Sequence, residues 1–249
     1  MKYLKAVIVG LVQGLTEFLP VSSSGHLTLL AKLGVAPTSL FFNLSLHLAT
    51  LAALLLCLRK EVWGAVRHPI RGEGKYVLLA SLPTVIVALL FKEFLPDLLT
   101  GQLLGFGFLL TGAALFCCER FFRDSKGQNI GVKTSLWTGF MQGIAVLPGV
   151  SRSGLTIATL RACGTEGDKA ARFSFLLSLP VIVGGFLLEG VESGFSAAGA
   201  DTGEIVVAAL SACVSGLFAV KFMLKQTKKG LMPFVPYVIA LGIVCYFLP

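Results

Sequence analysis

Charge is what this 249-residue chain has least of: Asp, Glu, Lys and Arg make up 14%, against 55% hydrophobic residues and a mean hydropathy of +0.84. That shortage excludes a water-soluble globular domain, in which about a quarter of residues are charged. The six cysteines, Cys57, Cys117, Cys118, Cys163, Cys213 and Cys245, form no C-x-x-C pair and lie mostly in apolar sequence. A zinc site and a disulfide framework are both excluded, and the thiols read as small buried hydrophobes. A small-residue cleavage pattern is missing as well, because the first apolar stretch runs straight into Gln13, Glu17 and a serine cluster. A removable signal peptide is therefore not expected. No basic amphipathic face accompanies the net charge of +8, so the sequence implies no nucleic-acid partner.

What the chain does have is long apolar runs: Phe41 to Leu58, Tyr76 to Phe91, Gln102 to Cys118, Phe173 to Leu188, Ile205 to Val220 and Leu231 to Leu248. Each is near the roughly 20 residues that cross a bilayer as a helix, and six full spans are expected. Sixteen of the 21 Lys and Arg fall in Arg59 to Lys75, Glu119 to Lys133, Arg161 to Arg172 and Lys221 to Lys229. One falls in Lys92 to Gly101 and none in Glu189 to Glu204. The positive-inside rule assigns the basic set to the cytoplasm.

Gln13-Gly14 returns as Gln142-Gly143, and Val21-Ser-x-Ser-Gly25 returns as Val150-Ser-x-Ser-Gly154, both 129 residues later. The same shift aligns Ser45 with Ser174 and Lys92 with Lys221. The first span of one half ends at a basic loop, whereas its counterpart ends at the acidic loop Glu189 to Glu204, so the halves are inverted. The expected fold is an all-α polytopic membrane protein of six transmembrane helices plus two re-entrant helical hairpins, arranged as an inverted-topology internal repeat. Residues 1–124 form the first repeat, with its hairpin at 1–35; residues 130–249 form the second, with its hairpin at 134–163; together they make a single membrane domain. Such breaks meet near the midplane, where protein or a wet cavity satisfies the freed backbone groups. This topology leaves Lys2, Lys5 and Lys32 on the outer side, against the charge bias.

The chemistry concentrates at the two breaks. Gln13 and Glu17 share a helix face, and Pro20 ends that helix before Ser22, Ser23, Ser24, Gly25 and His26. The second break has apolar Val146 at the glutamate position and Arg152 at the position of Ser23, so one tip is acidic and the other basic. Arginine flanked by Ser151, Ser153 and Gly154 at a helix start suits a phosphate. Glutamate with glutamine suits a hard divalent cation that bridges phosphate oxygens. Together they describe a phosphate-ester or diphosphate site, with a Ser23 hydroxyl near His26 as nucleophile and base. His47 and Asn43 read as packing residues, His68 as a solvated loop residue, and Arg161 and Arg172 as interfacial anchors at span ends.

The segments Gln13-Gly-Leu-Thr-Glu17-Phe-Leu-Pro-Val-Ser-Ser-Ser-Gly-His26 and Pro148-Gly-Val-Ser-Arg-Ser-Gly-Leu-Thr156 closely resemble the two signature motifs of the bacterial undecaprenyl-diphosphate phosphatase family, the bacitracin-resistance type. The resemblance covers essentially the whole chain. It implies a hydrolase that converts undecaprenyl diphosphate to undecaprenyl phosphate and so recycles the lipid carrier for peptidoglycan synthesis, conferring bacitracin resistance. It further implies a divalent cation (Mg2+ or Ca2+), a polyprenyl diphosphate lipid substrate, contact with membrane lipid, and a bacterial inner (plasma) membrane location with the active site open to the periplasmic face. A homodimer is compatible with it. Residue by residue, Glu17, Ser23, His26 and Arg152 are the expected catalytic set. Ser22, Ser24, Gly25, Ser151, Ser153, Gly154 and Thr156 are expected to bind substrate, and Gln13 with Glu17 to hold the metal. This sequence departs from the family pattern at Gln13, which removes one of two carboxylates, and at His47-Leu-Ala-Thr50, where alanine replaces a glycine. A second function class stays open at this point, because inverted repeats with midplane breaks also build transporters: a polyprenyl-phosphate carrier would bind the same cargo without breaking a bond.

Overall fold

The computed structural model describes residues 2–37, 39–123, 127–193 and 201–247, and the elements among them are helical. Helix α1 (Lys2–Phe18) stops ahead of Pro20, whose ring and missing N–H cannot continue it, and α2 (Ser23–Lys32) restarts after a four-residue turn. Next come α3 (Leu40–Cys57), α4 (Arg59–Arg67), α5 (Gly72–Phe94) and, after a short 3-10 turn at Pro96–Thr100, α6 (Leu104–Phe121). The second part repeats the opening, with α7 (Val132–Ile144), a turn, and α8 (Arg152–Ala162). It closes with α9 (Gly167–Ser193), α10 (Thr202–Lys229) and α11 (Phe234–Phe247).

Four helices, α5, α6, α9 and α10, are long and apolar enough to cross a membrane, or five spans if α3 and α4 count as one broken span bent by 95°. The protein is a multi-pass helical membrane protein. On α5, Leu82, Val85, Ile86, Leu89 and Leu90 all face outward, and only 17% of its most apolar window is buried. An apolar surface of that extent belongs in lipid.

One expected span and one expected loop take a different form. The stretch Leu231 to Leu248 yields a described helix of 14 residues, about 21 Å at 1.5 Å per residue. Gly230, with φ of +112°, and Pro233 hold back its start. The basic segment after α3 is not an open loop, because Arg59–Arg67 is itself a helix, α4.

The strongest helix pairings include ones between elements far apart in sequence: α1 runs against α10, α7 against α5, and α6 against α11. The first two pairings use glycines 129 residues apart. A Cβ on Gly10 would stand 2.2 Å from the Ala208 carbonyl oxygen, and one on Gly139 would stand 1.9 Å from that of Ala80. No side chain fits either place, so the helix backbones touch. Phe18, Phe173, Phe175, Leu54 and Leu115 fill the main core beneath the two turns, with the Phe18 and Phe175 rings edge to face at 5.4 Å.

Arg161 is not an interfacial anchor. It is buried at the end of α8, ion-paired to Glu119 of α6 and donating from Nη2 to the Arg123 carbonyl at 2.9 Å.

Candidate active site

Two short helices begin at the bottom of the same cavity. Ser22 caps α2 by accepting from the Gly25 N–H at 3.2 Å, and Ser151 caps α8 by accepting from the Gly154 N–H at 3.1 Å. Ser23 and Arg152 are thus the first helical residues, where backbone N–H groups lack partners within the helix and favour an anion. The turns lie in contact: a Cβ on Gly25 would come within 2.9 Å of the Gly149 Cα, and Gly149 itself takes φ of +88°. Thr111 braces the second turn, accepting from the Ser151 N–H at 2.8 Å and donating to the Gly149 carbonyl at 3.1 Å. Ser153 then ties it to the first, donating to the Leu19 carbonyl at 2.9 Å.

Glu17 is the centre of the arrangement. Its Oε1 accepts from Arg152 Nη2, while its Oε2 accepts from Ser23 Oγ at 2.6 Å and from Gln13 Nε2 at 3.0 Å. His47 Nδ1, from α3, lies 3.1 Å from the same oxygen and 3.1 Å from Gln13 Nε2. Polar side chains from α1, α2, α3 and α8 thereby converge on one fully buried carboxylate.

The cavity has a volume of about 220 Å3, and Glu17, Ser23, Ser24, His47, Gln142 and Arg152 supply its polar lining. Val146, Val181, Ile182 and Phe186 supply an apolar wall on the other side. A polar floor beneath an apolar wall suits a charged headgroup attached to a hydrocarbon.

A model of the bacitracin resistance protein BacA family matches residues 6–244. The chain belongs to this family. Undecaprenyl-diphosphatase from Carboxydothermus hydrogenoformans is 40% identical over 245 residues, covering 95% of this chain and 93% of its own length. Undecaprenyl-diphosphatase from Bacteroides fragilis is 39% identical over 258 residues, covering 98% and 97%, and undecaprenyl-diphosphatase 3 from Bacillus cereus is 37% identical over 256 residues, covering 100% and 98%.

Not every residue expected at the site of this BacA family member reaches the cavity. Glu17, Ser22, Ser23, Ser24, Ser151 and Arg152 line it; Gln13, Gly25, His26, Ser153, Gly154 and Thr156 do not. Thr156 is spent on the Arg152 carbonyl at 2.8 Å and on Ser174 Oγ at 2.6 Å. His26 does not pair with Ser23: its Nδ1 meets the Ser22 carbonyl at 2.7 Å and its Nε2 meets the Tyr237 hydroxyl at 2.7 Å. Ser23 instead has Glu17, a partner on the preceding helix.

Among the polar lining residues, Thr16, His47 and Gln142 were not expected. His47 read as a packing residue because a single histidine on an apolar helix carries no pattern; its place in a His-x-x-Thr segment was the available signal. Gln142 is the repeat counterpart of Gln13, and that relation could have found it. It is buried, with Nε2 donating to Thr84 Oγ1 at 3.1 Å.

The donor set also bears on a divalent cation. Among the described residues, no group of three or more His, Cys, Asp or Glu side chains is placed to hold one. Gln13 Oε1, however, is buried without a hydrogen-bond partner beside the Glu17 carboxylate, which makes it an orphaned oxygen of the kind a hard cation uses.

Proposed function

We propose that the chain is an undecaprenyl-diphosphate phosphatase that releases inorganic phosphate and returns undecaprenyl phosphate to envelope synthesis. The observation that carries this reading is the Ser23 hydroxyl, 2.6 Å from a carboxylate and at a helix N-terminus, facing a cavity that also holds Arg152. Family membership and relatives named undecaprenyl-diphosphatase support the substrate.

The mechanism follows from which contacts a phosphate would replace. In this structure Arg152 neutralises Glu17. A terminal phosphoryl group competes for the guanidinium with bidentate geometry and draws it off the carboxylate. Glu17, relieved of its cation, takes the proton of Ser23, which lies within the reach of a general base. Ser23 Oγ attacks the terminal phosphorus, the bond to the bridging oxygen breaks, and undecaprenyl phosphate leaves with the proton that Glu17 took from Ser23. Water then attacks the serine phosphoester, giving a proton to Glu17, which returns it to Ser23 Oγ as inorganic phosphate departs. Arg152 and the free N–H groups of α2 and α8 stabilise the equatorial oxygens, the main catalytic contribution in phosphoryl transfer. Ser22, Ser24 and Ser151 border the same space, and the apolar wall at Val181, Ile182 and Phe186 receives the first part of the lipid tail.

Gln13 Oε1 and Glu17 would hold a Mg2+ or Ca2+ ion that completes its shell with water and substrate oxygens, as hard cations at phosphate sites do. Such an ion would offset charge on the diphosphate.

The same reading extends to topology. The repeat of Gln13, Ser22 and Gly25 as Gln142, Ser151 and Gly154, and the exchanged pairing of α1 with α10 and α7 with α5, support two inverted halves, 1–124 and 130–249. In that arrangement α1–α2 and α7–α8 are re-entrant hairpins within a six-span inner-membrane protein, and the site opens to the periplasm.

Purified protein in detergent, where no transmembrane gradient exists, tests the activity: inorganic phosphate should appear from undecaprenyl diphosphate, and Ser23→Ala should abolish it. Binding without release would assign the chain to the carrier class.

A further inference from the structure

We infer that Tyr237, acting through His26, is a positioning residue that holds the turn presenting Ser23 to Glu17. The inference rests on the reading of Ser23 as nucleophile and adds a residue far outside either motif.

It starts from the backbone. Ser22 has φ of +68° and ψ of 95°, and it is the one non-glycine residue with positive φ among the described residues. A side chain in that region persists only where its surroundings enforce it. The enforcing contacts are on its carbonyl, which accepts from the His26 N–H at 3.2 Å and from His26 Nδ1 at 2.7 Å. Because a carbonyl can only accept, Nδ1 carries the ring proton, and Nε2 of the neutral imidazole is left as an acceptor. The Tyr237 hydroxyl donates to it at 2.7 Å. Tyr237 therefore fixes the tautomer that clamps Ser22. The ring has little freedom otherwise: it is buried, with Phe108 edge-on at 5.5 Å and Tyr237 stacked at 5.8 Å.

The other half of the molecule supplies the control. Shifted by 129 residues, Ser22 becomes Ser151, His26 becomes Leu155, and Phe108 becomes Tyr237. Ser151 caps its helix with the same hydrogen bond yet has ordinary extended backbone, φ of −80° and ψ of 116°. Capping alone thus needs neither the left-handed turn nor the clamp. Histidine and the tyrosine hydroxyl occur together only where the backbone is strained and only where a hydroxyl must be aimed. Without the Tyr237 hydroxyl, Nε2 loses its donor and the imidazole its fixed tautomer. Ser22 can then relax toward the conformation of Ser151, carrying Ser23 Oγ away from Glu17.

The test compares Tyr237→Phe, His26→Ala, the double variant and Ser23→Ala, with kcat and KM from phosphate release in detergent and melting temperature as the folding control. Tyr237→Phe should lower kcat about 10-fold, the scale of a small misplacement of a reacting group, while KM stays within about 2-fold. In the His26→Ala background the same change should cost nothing further, since both act through one contact. Unchanged kcat in folded Tyr237→Phe, or losses that multiply in the double variant, would overturn the inference even with Ser23→Ala inactive. Persistent hydrolysis by Ser23→Ala would instead remove the nucleophile reading beneath it, a separate result.

Discussion

Among the described residues two carboxylate–guanidinium pairs are buried, and they differ in access. Glu17–Arg152 borders a cavity, with 18% of the arginine side chain exposed, whereas Glu119–Arg161 is sealed, at 3% and 4%. Protein encloses the sealed pair: Arg161 also donates to the Arg123 carbonyl, and a Cβ on Gly230 would come within 2.6 Å of Glu119 Oε2. No ligand can reach it, so its charges can only hold α6 to α8. The open pair has the same chemistry and one added freedom, because an incoming anion can take the arginine. The comparison teaches that access, rather than the presence of buried charge, separates a working group from a fastening.

The widest break in that comparison is Arg152→Ala. Hydrolysis should fall about 10^3- to 10^5-fold, the range for removing an arginine from a transferring phosphoryl group. The melting temperature should move far less than it does for the sealed pair, because Glu17, fully buried while Arg152 is in place, borders the cavity and is opened to water when the arginine side chain is removed. Phosphate release and thermal unfolding of the same preparation check both halves of the statement.

Glu119→Ala should invert the pattern. Stranding Arg161 in a dry site costs about 3–5 kcal/mol of stability, while kcat per folded molecule stays within about 2-fold. Equal losses of activity and stability in both variants would erase the distinction. His47→Ala comes next, with kcat about 10-fold lower, the value of one hydrogen bond to a charged group. The double change Glu119→Leu with Arg161→Met should recover stability to within about 1 kcal/mol of the parent, since apolar replacement of a sealed pair is often neutral. The matching double change at Glu17 and Arg152 should stay inactive however well it folds.

These pairs also show what the sequence could reveal. The open pair was legible because both members sit in turns that repeat at one spacing, so Glu17 and Arg152 drew attention without any knowledge of contacts. The sealed pair was not, since Glu119 and Arg161 each follow an apolar run and look like ordinary span ends. His26 and Ser23 are three residues apart and read as partners, yet α2 turns the imidazole toward α11 while Ser23 faces α1. Tyr237 was invisible for the opposite reason, as an aromatic within an apolar run reads as a lipid contact. The spans show the same limit: hydropathy marked Leu231 to Leu248 as one run, whereas Gly230 and Pro233 decide where the helix begins.

A third pair sets the lower end of the scale. Lys2 and Asp201 join α1 to the cap of α10 at 2.5 Å, with 53% and 45% of their side chains exposed. The Lys2 ammonium holds the Asp201 carboxyl below the usual carboxylate range, helped by the Gly203 N–H. A carboxyl lowered on folding contributes stability above its unfolded pKa and loses it as pH falls through the folded value. Exposure and salt screening leave that contribution small, so Lys2→Ala should shift neither melting temperature nor kcat at neutral pH. A clear loss at low salt that vanishes at high salt would show that this contact, and not access to a cavity, helps hold α1 and its Glu17 in place.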